Sequence, residues 1–196
     1  MTLIKSISGI RGTIGGEVNE GLTPIDTVKF ASAYGTWLKN QNPKKRLKVV
    51  IGRDARPSGK MVSDLVCSSL IGLGIDVVNL GLSTTPTVEI AVPLENADGG
   101  IILTASHNPK QWNALKLLND RGEFISGAEG NALLEIAENA SFKFSEVDDL
   151  GTVTNDDSYL QKHIDAVLAL PLVNIEAIRN ANFSVVVDAV NSTGGI

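Results

Sequence analysis

The chain has 196 residues, of which 43% are hydrophobic and 20% are charged, and its formal net charge is -5 at pH 7. A chain of this length and composition can bury one sizeable hydrophobic core and begin a second. Its negative charge provides no long-range attraction to nucleic acid or acidic membranes, and no apolar run reaches the length of a membrane span. The single cysteine, Cys67, and an N-terminus without a signal-peptide pattern favour a reducing compartment. We therefore expect a cytoplasmic protein with no nucleic-acid or membrane partner, and its oligomeric state is left open.

Segments typical of strands and helices alternate along the chain. Apolar runs bounded by turn residues predict three buried strands: "LKVVIG" (47–52), "IDVVNLG" (75–81) and "GGIILTA" (99–105). Capping residues and helical spacing predict four helices. The first begins at Thr23 and Pro24 and has an apolar face of Ile25, Val28, Ala31, Tyr34 and Leu38. The second runs from a Ser58 cap to Gly72 and Gly74, the third from Thr85-Pro86 to before Pro93, and the fourth over about 127–140. "ALKLLNDRGEFIS" (114–126) predicts two short strands joined by a turn at 119–122. The alternation predicts an α/β fold, with a mixed, mainly parallel sheet flanked by helices and one antiparallel addition.

A loss of periodicity in "FSEVDDLGTVTNDD" (144–157) predicts a domain boundary near residue 150. Beyond it, the patterns predict helices over 157–170 and 172–181 and a strand, "FSVVVDAV" (183–190). "NSTGGI" (191–196) is typical of a turn that leads into a further helix. We therefore expect residues 1–150 to form one domain and residues 151–196 to be the truncated beginning of a second α/β domain.

The hexapeptide "TASHNP" (104–109) directly follows the third predicted strand. Ligands of α/β sheets usually bind at the carboxyl ends of strands. Pro109 restricts the backbone of Asn108, so the loop could hold Ser106 in a fixed, exposed position. Ser, His, Asn and Pro are also ordinary turn residues, and a plain turn remains an alternative.

Serine hydrolysis is the first reaction class to test against this loop. The Gly-x-Ser-x-Gly pattern is absent, His107 is adjacent in sequence to Ser106, and the other histidine, His163, lies on a predicted amphipathic helix. The sequence therefore argues against a serine hydrolase. A hydroxyl that carries a phosphoryl group needs cations around it rather than a permanent base, so phosphate chemistry fits the loop better.

Three other segments could supply cations to such a site. They are "NALK" with Lys116, "GRDARPSG" (52–59) with Arg53, Asp54 and Arg56, and the glycine-rich "SGIRGTIGG" (8–16) with Arg11. A lysine can neutralise a phosphoserine or exchange a proton with a sugar hydroxyl, and guanidinium groups and helix N-termini bind phosphate. Taken singly, each segment has a plain alternative: an exposed strand lysine, a salt-bridged surface turn or an N-terminal hairpin. The spacing fits neither a P-loop nor a zinc site.

Taken together and in order, "SGIRG", "GRDARPSG", "GGIILTASHNP", "NALK" and "VVVDAVNSTGG" resemble the α-D-phosphohexomutases. This is the family of phosphoglucomutase, phosphomannomutase and phosphoglucosamine mutase. The resemblance spans nearly the whole chain but less than half of a family member, which has four domains. It implies domain 1 of that family for residues 1–150 and the opening of domain 2 for residues 151–196.

The resemblance implies a role for four residues of the reaction centre. Ser106 matches the serine whose phosphoryl group is transferred to a hexose phosphate, giving a hexose 1,6-bisphosphate. One oxygen of that phosphoserine would also bind Mg²⁺. His107 and Lys116 match groups with acid, base or electrostatic roles around the phosphoserine, and Arg11 matches an arginine near the transferred phosphate.

A second group of matched residues is expected to bind the phosphosugar or to support the site. Arg53, Asp54 and Arg56 match a Gly-x-Asp-x-Arg turn of the family, with a supporting role. Asn108 and Asn113 lie in the two motifs that carry the serine and the lysine, and they are assigned to the same supporting group.

Some features depart from the family pattern. Ala114 stands where the usual Asn-Gly-x-Lys has glycine, and Ser8-Gly9 replaces a common Thr-Asp. The Asp-rich metal loop, the sugar-selecting loop and the C-terminal phosphate-binding loop of the family would lie beyond Ile196. We therefore expect the full-length protein to interconvert the 1- and 6-phosphates of glucose, mannose or glucosamine, with the remaining domains of the same chain as partners and with this piece inactive alone. The rival hypothesis is a noncatalytic phosphosugar-binding module on the same scaffold.

Overall fold

The computed structural model describes residues 1–6, 9–43 and 46–195, so Ser8 of the glycine-rich segment lies outside the described residues. The strands in these ranges are β1 (Ile4–Ser6), β2 (Gly9–Thr13), β3 (Leu47–Arg53), β4 (Ile75–Leu82), β5 (Gly99–Leu103), β6 (Trp112–Leu118) and β7 (Val153–Asn155). The helices are α1 (Pro24–Gln41), α2 (Gly59–Gly72), α3 (Thr85–Leu94), α4 (Gly127–Asn139), α5 (Tyr159–Leu168) and α6 (Ile175–Asn180). None of the described helices is long and apolar enough to cross a membrane.

All the described strands belong to one sheet, in the order β1-β2-β6-β5-β3-β4-β7. Parallel ladders join β5, β3, β4 and β7. Antiparallel ladders join β1 to β2, β2 to β6 and β6 to β5. The predicted mixed α/β sheet is confirmed, but its antiparallel part is larger than the single addition expected. The reason is that the glycine-rich N-terminal segment is not a free loop: it forms a hairpin whose second strand pairs with β6.

The helices cover the two faces of the sheet and build two hydrophobic cores. Side chains of α1, α2 and α4 share the larger core with one face, and α3 shares the smaller core with the other. The chain runs from β3 through α2 to β4 on one side of β3, and returns through α3 to β5 on the other side. The gap between the carboxyl ends of β3 and β5 is therefore the topological switch point, where open α/β sheets bind their ligands.

Helix α1 begins at the predicted cap and buries three of the five residues predicted for its apolar face, Ala31, Tyr34 and Leu38. The Thr23 hydroxyl accepts the Asp26 N–H at 3.3 Å and the Asp26 carboxylate accepts the Thr23 N–H at 3.2 Å, which is a capping box. Ile25 and Val28, assigned to the apolar face, are 61% and 37% exposed. The buried face is set by the contacts of α1 with α2 and α4, and it consists of Thr27, Phe30, Ala31, Ala33, Tyr34, Trp37 and Leu38.

Two element boundaries differ from the prediction. Helix α3 continues through Pro93, because a proline in the last turn removes one N–H while the Glu95 N–H still closes that turn on the Ala91 carbonyl. After the turn at 119–122, the expected second strand is reduced to an isolated bridge between Phe124 and Leu118. Apart from β1 and β2, for which no strand bounds were predicted, the other helices and strands of the first 140 residues lie within a few residues of their predicted bounds.

The segment 183–190, predicted as a strand, does not form one. Val185, Val186 and Val187 are 74%, 97% and 77% exposed. A strand needs a neighbour to pair its backbone groups, and within the described part of the chain no residue pairs with this segment. The two helices predicted before it are present as α5 and α6.

The domain boundary predicted near residue 150 stays a prediction. Strand β7 lies beyond it and pairs with β4 in the same sheet. Tyr159, at the start of α5, is 3% exposed and belongs to the smaller core with α3. Strand β7 and Tyr159 thus pack against elements that precede residue 150.

Candidate functional site

The two polar segments singled out in the sequence meet at the switch point of the sheet. The ladder between β3 and β5 pairs Arg53 with Leu103. Just past β3, the Asp54 N–H donates to the Leu103 carbonyl at 3.0 Å. The segments "GRDARPSG" and "TASHNP" are therefore neighbours in space. Their contacting residues, Asp54 and Thr104, are 50 residues apart in sequence.

Ser106 lies in a turn that closes from Ala105 to Asn108. The backbone N–H of Asn108 donates to the Ala105 carbonyl at 3.0 Å, and the side-chain amide of Asn108 donates to the same oxygen at 2.8 Å. Ser106 has a φ of 54°, in the left-handed region. For a residue other than glycine this region costs about 1–2 kcal/mol, and such strain persists only where the surroundings hold it in place.

The hydroxyl of Ser106 is free. The residue is exposed, and within the described residues its hydrogen bonds are made by its backbone N–H and carbonyl. A free hydroxyl on a fixed backbone can accept a phosphoryl group without first breaking a hydrogen bond.

Asp54 and Thr104 connect the two segments. Asp54 accepts the Thr104 hydroxyl at 2.6 Å, the Arg56 backbone N–H at 3.0 Å and Arg56 Nε at 3.1 Å. The Thr104 oxygen in turn accepts the Ser106 N–H at 3.1 Å. The carboxylate thus fixes both the arginine and the residue that holds the serine backbone.

Arg56 spans the loop that contains the serine. Its Nη2 donates to the carbonyls of Ser106 and Asn108 at 2.7 Å each. Its Nη1 donates to the carbonyls of Pro109 and Trp112 at 2.8 and 3.0 Å. The arginine side chain is 10% exposed. These bonds hold the loop from Ser106 to Trp112 against the end of β3.

Arg11 and Lys116 lie on one face of the sheet next to this loop. The register pairs Arg11 with Ala114, and the Thr104 N–H donates to the Ala114 carbonyl at 3.2 Å. Lys116 is two residues from Ala114 on β6 and so shares its face. Arg11 Nε is buried without a hydrogen-bond partner in the described chain, and Lys116 Nζ lies 5.8 Å from the centre of the Phe124 ring. Neither side chain forms an ion pair in the described structure, so both positive charges are available to an anion.

The histidines do not assemble a hydrolytic site. His107 is exposed, and no hydrogen bond joins it to Ser106 in the part of the chain that is described. His163 Nδ1 lies 2.9 Å from the Thr87 hydroxyl, where α5 contacts α3. Among the described residues, therefore, no serine is hydrogen-bonded to a histidine that is itself hydrogen-bonded to a carboxylate.

Arg53 and Asn113 occupy supporting positions. Arg53 Nη1 donates to the Asp54 carbonyl at 3.1 Å. Asn113 is fully buried and donates to the Ser58 hydroxyl at 2.9 Å. Ser58 precedes α2 as predicted, but its side chain makes no capping bond to that helix. Asn113 thus braces the residue that precedes α2, beside the site.

Sequence reasoning missed the contribution of Thr104, although the residue lies in the quoted motif. Its partner Asp54 follows β3, and the contact requires β3 and β5 to be adjacent. The sequence did show an acidic residue after one predicted strand and a threonine after another, and this pattern was the available signal for the contact. The sequence order of the strands did not reveal which of them are neighbours.

The described residues do not by themselves form a metal centre. They contain no group of three or more His, Cys, Asp or Glu side chains that could hold a metal ion. Asp54, the carboxylate nearest the loop, is engaged by Arg56 and Thr104. The described residues therefore do not make up a complete Mg²⁺ site.

The fold and this loop identify the class of protein. Residues 3–144 match the family described as phosphoglucomutase/phosphomannomutase, alpha/beta/alpha domain I. The chain belongs to the phosphoglucomutase/phosphomannomutase family.

Individual relatives agree with that assignment. The chain is 35% identical over 187 residues to a phosphoglucomutase/phosphomannomutase of Thermococcus kodakarensis, and the match covers 94% of this chain and 40% of the relative. It is 35% identical to a probable phosphoglucosamine mutase of Pyrococcus horikoshii, with 96% and 38% covered. The crystal structure of a putative phosphomannomutase from Thermus thermophilus superposes with a TM-score of 0.74 at 28% identity, covering 95% of this chain and 39% of that one. The chain thus spans well under half the length of the relatives that it matches.

Proposed function

We propose that this chain is the phosphoserine-bearing part of an enzyme that interconverts hexose 1-phosphate and hexose 6-phosphate. The observation that carries the proposal is the free hydroxyl of Ser106, held in a left-handed turn at the switch point of the sheet. Membership of the family supports the reaction class. The names of the relatives support a phosphorylated glucose, mannose or glucosamine as substrate.

In the proposed reaction, phosphorylated Ser106 donates its phosphoryl group to a sugar hydroxyl. The bond between Ser106 Oγ and phosphorus breaks as the sugar oxygen bonds to phosphorus, and an acid or base carries the sugar hydroxyl proton to Ser106 Oγ. The product is a hexose 1,6-bisphosphate, whose other phosphate then returns to Ser106.

The cations on the adjoining face have roles in this proposal. Arg11 and Lys116 would stabilise negative charge on the transferring group, and His107 or Lys116 would move the proton. Mg²⁺, bound to a phosphate oxygen of the phosphoserine, would supply further charge stabilisation.

The activity is proposed for a longer chain than these residues. The relatives are matched over 38–40% of their length, and the described residues offer no complete metal centre. We therefore expect no mutase turnover from the 196 residues alone. Turnover by this piece would contradict the need for further domains.

Intact-mass spectrometry of the complete protein tests the proposal. After incubation with glucose 1,6-bisphosphate and Mg²⁺, we expect a mass increase of about 80 Da that maps to Ser106. The Ser106→Ala protein is the matched control and should gain no mass. A folded protein that remains unphosphorylated at Ser106 would favour the noncatalytic phosphosugar-binding module instead.

A further inference from the structure

Every hydrogen-bond donor of the Arg56 side chain is used inside the protein. A guanidinium group has five N–H donors. In this site they are directed to Asp54 and to four backbone carbonyls, those of Ser106, Asn108, Pro109 and Trp112. Arg56 therefore has no donor left for a phosphate group. Its function must be exerted through the loop to which it is bound.

The direction of these carbonyls determines the direction of the neighbouring amides. The described chain contains no cis peptide bond, so the N–H that follows each carbonyl points the opposite way. With the Ser106 and Pro109 carbonyls turned towards Arg56, the N–H groups of His107 and Lys110 are turned away from it. Both residues are exposed, and within the described residues neither N–H has an acceptor.

Free amide donors next to a serine form a natural site for anionic oxygens. Backbone N–H groups that face outward can bind phosphate oxygens and stabilise developing negative charge. The His107 amide directly follows Ser106, the residue whose hydroxyl is free. The bond from Arg56 to the Ser106 carbonyl therefore also turns the amide next to Ser106 away from Arg56 and leaves it free for an anion.

We infer that Arg56 is a positioning residue for phosphoryl transfer: it holds Ser106 in its left-handed turn and turns the adjacent His107 amide outward, where it can donate to a phosphoryl group on Ser106. The identity of the anion rests on the proposed function above. The ordering of the loop by Arg56 does not depend on it.

The test compares two arginine-to-lysine substitutions. Lysine has three donors, so Arg56→Lys must lose at least two of the five bonds. Arg46→Lys is the matched control, because Arg46 also binds a carboxylate and a carbonyl, those of Asp76 and Leu150, in contacts that do not include the serine loop. In Arg56→Lys we expect the hydrogen-bonded amides of this loop, those of Ser106, Asn108 and Trp112, to exchange about tenfold faster than in the wild type. In Arg46→Lys we expect no change there.

A second measurement addresses catalysis in the complete protein. Phosphorylation of Ser106 by glucose 1,6-bisphosphate should be about tenfold slower at saturation in Arg56→Lys. The bisphosphate concentration for half-maximal rate should be unchanged, because Arg56 does not reach the ligand. In the wild type, phosphorylation should shift the His107 amide resonance, and this shift should be smaller in Arg56→Lys.

The outcomes separate the two proposals. An Arg56→Lys loop as protected from exchange as that of the wild type overturns the ordering role, and a loosened loop phosphorylated at the wild-type rate overturns the role in transfer. If the wild type is never phosphorylated, the proposed function fails while the exchange data still decide the ordering role. If Arg56→Lys does not fold, Asp54→Asn is tested instead. The asparagine has the shape of the aspartate but removes the negative charge that binds Arg56. An Asp54→Asn loop with unchanged exchange would then overturn the inference.

Discussion

At the scale of single residues, the left-handed backbone of Ser106 has an energetic cost that can be measured. Glycine adopts this conformation without the steric penalty of about 1–2 kcal/mol, although it adds entropy to the unfolded chain. We therefore expect Ser106→Gly to be more stable than Ser106→Ala by about 0.5–1 kcal/mol, measured by urea unfolding. Alanine is the control because it removes the hydroxyl and keeps the penalty. Equal stability of the two variants would mean that the Ser106 backbone is not strained in solution.

At the scale of elements, α5 is attached to α3 by a carboxylate that can be titrated. The Tyr159 hydroxyl donates to Glu95 at 2.5 Å, and Lys48 lies 3.0 Å from the same carboxylate. The Tyr159 hydrogen bond, followed by the bond and charge of Lys48, lowers the pKa of Glu95 below its ordinary value. The stabilisation is therefore complete above the ordinary pKa of about 4.3 and is lost as the pH falls through the lower pKa of the folded state.

We expect the protection factors of the α5 amides to fall as the pH is lowered below about 4. Protection factors are used because they remove the intrinsic pH dependence of exchange. The Glu95→Gln variant is the control, since its α5 should be less protected at neutral pH and should lose less protection in acid. A pH profile that is the same in both proteins would show that another group, such as Asp156 near the start of α5, governs the attachment.

At the scale of the whole molecule, residues 171–195 contribute little to the packed body. The apolar side chains in this part are largely exposed: Leu172, Ile178, Phe183, Val185, Val186, Val187 and Val190. A chain that ends at Leu170 should therefore unfold with a free energy within about 0.5 kcal/mol of the intact chain in urea. It should also self-associate less in sedimentation experiments, because exposed β-branched segments promote association. A large loss of stability would show that these residues pack on the sheet in solution.

Much of the fold could be predicted from the sequence because it depends on local patterns. The capping box at Thr23 and Asp26 and the cap at Ser126 involve residues three apart, so the starts of α1 and α4 can be read directly. The strand before Ser106 and the turn after it are equally local. By contrast, the strand predicted at 183–190 depends on a partner, and its β-branched residues alone do not form one.

The sequence by itself determined that a serine follows a buried strand, that arginine and aspartate follow another, and which family this combination resembles. Only the tertiary structure decided that β3 and β5 are neighbours, that all five N–H donors of the Arg56 side chain bind within the protein, and that Ile25 and Val28 face solvent. The physical reason is the separation along the sequence between the residues that interact. Caps, turns and periodicity arise between residues a few positions apart, whereas the order of strands and the partners of a side chain are set by packing between segments about 50 residues apart.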